Sequence, residues 1–202
     1  MPAVRGRHRY DAVMHAIALF ETSIGTCAIG WNERGIVGVQ LPEGNAQATR
    51  AKMLRRFPGS AETAPAPGAR VAIDRIVALL DGTPVDLGDI ELDDAVVGPF
   101  ERRVYRIART IPPGSTLTYG EIAARIEDAG AARAVGQALG SNPFAIIVPC
   151  HRVLAAGGRI GGFSAGGGAA TKRRILAIER ARVGDAPDLF ADERPVAGAS
   201  PA

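Results

Sequence analysis

Three short apolar runs open the chain, each closed by turn residues, and helical spacing dominates the remainder. His15 to Glu21 ends at Thr22-Ser23-Ile24-Gly25, Thr26 to Trp31 at Asn32-Glu33-Arg34-Gly35, and Ile36 to Leu41 at Pro42-Glu43-Gly44. Runs of this length between such turns predict the strands of an antiparallel meander. Asn45 stands where a helix cap belongs. Ala48, Ala51, Met53 and Leu54 then give helical spacing up to Phe57, and Pro58 stops it. Gly59 to Gly68, with Pro65 and Pro67, predicts a loop. Val71, Ile73, Ile76, Val77, Leu79 and Leu80 form a wide apolar stripe on a second helix, stopped by Asp81-Gly82-Thr83-Pro84. The acidic stretch from Asp86 to Asp94 predicts a connector with one extended segment, and a domain boundary falls there.

Beyond it the pattern is helical. Pro99 sits where a first-turn proline is tolerated, and a helix is expected to about Ala108. Ile111-Pro112-Pro113-Gly114 breaks the chain. Thr118 caps Tyr119 to Ile126, with Glu121 placed for a capping box. Asp128-Ala129-Gly130 turns into a second short helix, Ala131 to Leu139, which Gly140-Ser141-Asn142-Pro143 ends. Apolar Phe144 to Val148 leads to Pro149 and Cys150, a glycine-rich loop runs from Gly157 to Gly168, and a last helix from about Ala170 to Ala181. The pattern therefore predicts an α+β protein with three segments: an N-terminal sheet-and-helix domain at 1–95, a C-terminal helical domain at 96–184, and a disordered tail at 185–202, rich in Ala, Pro and Asp.

Composition narrows the classes. Of the 202 residues, 47% are hydrophobic, enough for one or two compact cores. No run approaches the ~18 consecutive apolar residues of a membrane span. Met1 to Tyr10 is basic, and the apolar stretch after it is interrupted by His15 and Glu21 and lacks a small-residue cleavage site. It reads as an arm leading into a strand, not as a signal peptide. Two cysteines, Cys27 and Cys150, do not make a secreted disulfide framework, so a cytoplasmic setting is expected. Charge is uneven: 10 basic against 12 acidic residues in 1–95, 13 against 5 in 96–182, and 1 against 4 in 183–202. A basic second domain fits a polyanionic partner, and equally fits a solvated arginine-rich face.

Three features carry candidate chemistry. The helices at 119–126 and 131–139 have helix-turn-helix spacing. The second offers a smooth surface of Ala131, Ala132, Ala134 and Gly136, with Arg133 and Gln137 four apart. That suits close approach to a narrow groove, and it also suits a helix hairpin packed inside the protein. Cys150 is followed by His151 and Arg152. A thiol attacks only as thiolate, roughly 5% populated near neutrality for a free cysteine, so an imidazole that takes its proton activates it. Adjacent side chains rarely meet directly, so His151 is expected to act through a water, with Glu179 orienting its far side. An inert buried cysteine is the competing reading. Asn142 can tie the preceding helix to the cysteine segment. The glycine loop lacks the Gly-Lys-Ser/Thr of a phosphate cradle, and Lys172, Arg173 and Arg174 after it are placed either to reach phosphate or to be solvated.

Together these residues resemble the O6-alkylguanine-DNA alkyltransferase family, also called methylated-DNA–protein-cysteine methyltransferases. The pieces are Leu117-Thr118-Tyr119-Gly120-Glu121-Ile122-Ala123, Ala131-Ala132-Arg133-Ala134-Val135-Gly136, Gly140-Ser141-Asn142-Pro143, Val148-Pro149-Cys150-His151-Arg152-Val153 and Leu176-Ala177-Ile178-Glu179. They span about 80 residues, while residues 1–95 match only in layout. The resemblance implies a ribonuclease-H-like N-terminal domain and a helix-turn-helix C-terminal domain. It implies single-turnover transfer of the alkyl group from O6-alkylguanine, and from O4-methylthymine, to Cys150 after minor-groove binding and nucleotide flipping. By the same resemblance His151 is the base, Glu179 orients it, and Tyr119 crowds the phosphate and donates a proton toward guanine N3. Arg133 fills the vacated stack and Asn142 braces the hinge. Ala132, Gly136 and Leu139 lie against DNA, the backbone of Cys150 and Val153 reads the exocyclic amine, and Ser164 lies near O6. Double-stranded DNA is the implied partner of a monomer that uses no cofactor, no membrane and no obligate protein partner.

Departures remain. Phe163 stands where many members have tyrosine, and the loop from Ala165 to Ala170 is glycine-rich and longer than in some members. Some members bind zinc near the N-terminus, but Cys27, His8 and His15 are poorly spaced for it, and no metal is expected. A non-enzymatic lesion-binding relative would lack the cysteine that Cys150 provides. A plain helix-turn-helix binder would ignore alkylation, and a cysteine hydrolase would turn over esters or amides.

Overall fold

The computed structural model describes residues 15–183. The basic arm at 1–10, with His8, and the segment 185–202 lie outside the described residues. Strands β1 (Ala16–Phe20), β2 (Cys27–Asn32) and β3 (Gly35–Gln40) form the expected antiparallel meander, paired Phe20 to Cys27 and Ala16 to Trp31 on one side and Ala28 to Gln40 on the other. A two-residue strand, β4 (Ala61–Glu62), adds parallel to β1 and gives the sheet order β3-β2-β1-β4. It falls where the proline-rich composition predicts only loop, because Ala61 and Thr63 donate to the carbonyls of His15 and Ile17 along the open side of β1.

Both faces of this sheet are covered, which is why its strands read as nearly continuous apolar runs. Helix α1 (Ala46–Arg56), capped by the Asn45 side chain on the Ala48 N–H, lays Met53, with Phe57 just beyond it, over Ile17, Ala28 and Val37. Gly30 makes room for Met53: a Cβ there would lie 2.7 Å from its terminal carbon. Helix α2 (Pro67–Leu80) covers the other face. It starts four residues before the apolar stripe, because Pro67 occupies its first turn, where a missing N–H costs nothing.

The second half is built on α3 (Pro99–Ala108), α4 (Tyr119–Arg125) and α5 (Ala132–Gly140). Both capping-box bonds of Thr118 and Glu121 are present at the start of α4, and Arg103 on α3 donates to the Ile126 carbonyl at its end, 2.6 Å away. The Tyr105 hydroxyl donates to the Ala138 carbonyl at 2.8 Å, tying α3 to α5. A short parallel pair, β5 (Leu117–Thr118) and β6 (Val153–Leu154), carries no sequence signal at two residues each, yet it brings Tyr119 beside the cysteine segment. The last helix, α6 (Gly168–Ile178), ends earlier than its spacing predicts and leaves Glu179 as its cap.

The free edge of β3 is covered by the later half of the chain. Gly35 permits this, with φ +136° and a site where a Cβ would lie 2.8 Å from the Glu91 carbonyl oxygen. Gly35→Ala is expected to cost about 1–3 kcal/mol through strain and collision, lowering the melting temperature by several degrees at about 2–4 °C per kcal/mol for a chain of this size. Thermal denaturation checks this, and an unchanged midpoint would contradict it.

Candidate active site

The site begins at a hinge. Asn142 follows α5 and clips a tight loop at both ends: its Nδ2 donates to the Val148 carbonyl at 2.8 Å, and its Oδ1 accepts from the Phe144 N–H at 2.9 Å. Val148 N–H closes back on the Phe144 carbonyl at 2.8 Å. Inside the loop Ile146 takes φ +70°, a costly conformation for a β-branched residue. Such strain persists only where its surroundings over-determine it. Pro149 then leads into a 3-10 turn, Cys150–Arg152.

That turn is fastened to the end of α6. Glu179, whose side chain is fully buried, accepts from three groups: His151 Nε2 at 3.0 Å, Arg152 Nε at 2.9 Å and a terminal Arg152 nitrogen at 2.7 Å. The other terminal Arg152 nitrogen donates to the Ile111 carbonyl at 2.5 Å. Burial pushes the Glu179 carboxyl up, but the hydrogen bonds and charges of His151 and Arg152 outweigh it and hold the group down to about 2. Burial pushes the His151 imidazole down, beyond what Glu179 restores. A neutral imidazole facing an ionised carboxylate carries its proton on Nε2. His151 Nδ1, buried and without a partner among the described residues, is then an acceptor.

Cys150 is partly exposed. Burial pushes its thiol up, against the pull of the Asn142 side chain, the Lys172 charge and nearby backbone N–H groups. Burial thus favours the protonated thiol. Lys172 on α6 is fully buried and donates to the Val153 carbonyl at 2.6 Å. This corrects the expectation that it reaches phosphate or is solvated. Arg173 stays exposed, and Arg174 donates to the Ser23 carbonyl of the β1–β2 turn.

Tyr119 is half-buried beside Cys150, between α5 and the glycine loop. A Cβ on Gly161 would lie 3.2 Å from its hydroxyl, and one on Gly136 would lie 3.8 Å from its ring. Cys150, His151, Glu179, Asn142, Val153, Tyr119 and Gly136 are thus brought together. Arg133 is exposed on α5, with Ala132 partly buried beside it. Leu139 and Val153 point into the core, which leaves only their backbone for any contact with a ligand. Ser164 is exposed in the glycine loop. Sequence reasoning gave Arg152 no role. Its position, one residue from His151 and two from Cys150, was the available signal, but nothing local reveals that its partner lies 27 residues away.

A histidine held by a buried carboxylate, next to a partly exposed thiol, defines a protein whose chemistry centres on one cysteine. Residues 99–181 match the family described as 6-O-methylguanine DNA methyltransferase, DNA binding domain. A methylated-DNA–protein-cysteine methyltransferase of Mycobacterium tuberculosis is 44% identical over 137 residues, 66% of this chain and 81% of that protein. One from Methanothermobacter thermautotrophicus is 35% identical, over 74% of this chain and 76% of its own. Among solved structures, Mycobacterium tuberculosis OGT in complex with DNA superposes with a TM-score of 0.66 at 34% identity, covering 86% of this chain and 97% of that one. The chain belongs to the methylated-DNA–protein-cysteine methyltransferase family, and it is a DNA-repair enzyme of that class.

The buried pair predicts acid sensitivity. His151 stays neutral in the fold but takes up a proton when unfolded, so stability falls as pH drops below its ordinary 6.5. The contribution of Glu179 is complete above its ordinary 4.5 and is lost as pH falls toward about 2. The urea midpoint should therefore decline from about pH 6.5 and decline further below about pH 4.5. A flat midpoint across this window would contradict the assignment.

Proposed function

We propose that Cys150 is the acceptor of the alkyl group from O6-alkylguanine in duplex DNA, that O4-methylthymine is also repaired, and that each molecule acts once. The observation that carries this reading is the imidazole of His151, held by Glu179 on one nitrogen and with no partner for the other among the described residues, next to a protonated thiol.

The chain works as a sheet-bearing N-terminal domain to about residue 95 and a DNA-binding domain to about 184. Sheet order β3-β2-β1-β4, with only β4 parallel, supports a ribonuclease-H-like layout for the first. In the second, α4 and α5 act as a helix-turn-helix. The small residues Ala131, Ala132, Ala134 and Gly136 let α5 approach a minor groove closely, while Arg133 and Gln137 stand out from it. The lesion is stacked inside the duplex, so its nucleotide is rotated out, at a cost of a few kcal/mol that is lower for a poorly paired base. Arg133 fills the gap and Tyr119 crowds the backbone phosphate.

In the pocket, a water passes the thiol proton to His151 Nδ1, and Glu179 stabilises the imidazolium that forms. The Cys150 sulfur then attacks the saturated carbon. A C–S bond forms, the C–O bond breaks, and its electron pair leaves with guanine O6. Tyr119 donates a proton toward N3 to quench the charge. Val153 and Cys150 backbone groups read the exocyclic amine, and Ser164 lies near O6. The product thioether has no group in the site able to cleave it, so the protein is consumed. It acts as a monomer, without a cofactor. Similarity to the Mycobacterium tuberculosis protein crystallised with DNA supports the choice of partner.

Incubation with a methylated-guanine duplex should add one methyl mass to the peptide containing Cys150, and an unmodified peptide at full stoichiometry would sink the reading. Cys150→Ala should stop transfer and keep DNA binding. Arg133→Ala should slow repair in duplex DNA by about tenfold or more while sparing reaction with free O6-benzylguanine, as befits a group acting only on base extrusion. Equal slowing of both would remove its stacking role.

A further inference from the structure

The edge of β3 makes two contacts with the later half of the chain, and their spacing is unusual. Ile36 N–H donates to the Glu91 carbonyl at 3.0 Å and its own carbonyl accepts from Asp93 N–H at 2.9 Å, while Val39 N–H donates to the Pro143 carbonyl at 2.8 Å. In a regular strand, backbone groups facing one edge recur every second residue. Residues 36 and 39 are three apart. The register explains the difference: Trp31 pairs with Ile36 and Gly30 with Gly38, which leaves Val37 as an extra residue. Side chains record the same phase change. Val37 packs in the α1 core and a Cβ on Gly38 would touch the Phe57 ring there at 3.0 Å, whereas Ile36 and Val39 both face the larger core. A bulge re-aims the strand beyond it, and here it turns Val39 N–H outward onto the residue after Asn142.

We infer that β3 is a positioning element for Cys150, acting through the bond from Val39 N–H to Pro143. The inference rests on Cys150 being the alkyl acceptor. Pro143 and Phe144 join the sheet as a parallel bridge to Val39. They are the first residues of the loop that Asn142 clips and that holds strained Ile146. Arg56, at the end of α1, donates to the same Pro143 carbonyl at 3.4 Å. Tyr105 of α3 meets the Phe144 ring edge-on at 6.3 Å from the other side. The start of the loop is thereby fixed between the N-terminal sheet and α3, five residues before Pro149. Bulge and loop together give the N-terminal domain a part in aiming the thiol.

Val39→Pro tests this, because its N–H faces away from β2 and a proline at an edge leaves the ladder intact. With saturating methylated duplex, the first-order rate of methyl transfer to Cys150 should fall by about tenfold or more, since misplacement of about 1 Å can cost on the order of 100-fold. The DNA dissociation constant should stay within about twofold. Val39→Ala, which keeps the N–H, should transfer at close to the wild-type rate. Should Val39→Pro fail to fold, Arg56→Ala is the second probe, expected to slow transfer about twofold to fivefold, the scale of one hydrogen bond, at unchanged DNA affinity. A folded Val39→Pro that transfers at the wild-type rate, a Val39→Ala as slow as the proline variant, or, where the proline variant is unfolded, an Arg56→Ala at the wild-type rate would overturn the inference. Failure of the wild-type protein to acquire a methyl on Cys150 would instead remove the reading beneath it.

Discussion

The carboxylate of Glu179 is where the cysteine segment is fastened to the rest of the molecule. A buried charge of this kind costs several kcal/mol in lost hydration unless its lone pairs are well satisfied. Here they are, by one histidine and two prongs of an arginine fork, whose remaining terminal nitrogen reaches the Ile111 carbonyl. Because His151 and Arg152 directly follow Cys150, the same bonds that offset the charge also set where the thiol sits. They fix the histidine's tautomer as well, and with it the direction in which a proton can leave. Structure and chemistry at this point share one set of contacts.

The opposite end of the segment is held by backbone rather than charge. Asn142 ties both ends of the Phe144–Val148 loop, and the edge of β3 supplies one more bond through a bulge. Ile146 can then occupy a left-handed conformation that costs about 1–2 kcal/mol for a residue with a Cβ. A loop tied at both ends in this way holds the segment that leads to Cys150 in one conformation. Lys172 completes the frame from α6, its buried ammonium on the Val153 carbonyl and its charge felt at the sulfur.

Local pattern and local chemistry were legible in the sequence. The meander, the Asn45 cap, the Thr118–Glu121 capping box and the Asn142 hinge all announce themselves within a few residues, because turn and cap chemistry is short-range. Cys150 with His151 was legible as a pair, and Glu179 on the last helix as the carboxylate for its far side. The parts that stayed hidden depend on distant partners. Two-residue strands such as β4 to β6 have too little length for periodicity. Burial of Lys172 and pairing of Arg152 are settled by a neighbour far along the chain, and a charged residue after a glycine loop looks the same whether it ends in solvent or in a core. The first turn of α2 was missed because Pro67 and Gly68 read as loop, although proline is at home at a helix start.

The central claim is that Glu179 acts on the thiol through His151. The most direct test is the pH profile of Cys150 alkylation by excess free O6-benzylguanine, which needs no DNA, in the wild-type protein and in folded Glu179→Gln. Because Glu179 raises the His151 pKa, losing the carboxylate weakens the base: alkylation should slow by about tenfold or more on the plateau, and the limb on which the imidazole loses its proton should move to lower pH. Superimposable profiles at equal rates would show that the carboxylate serves the fold alone and would contradict the account.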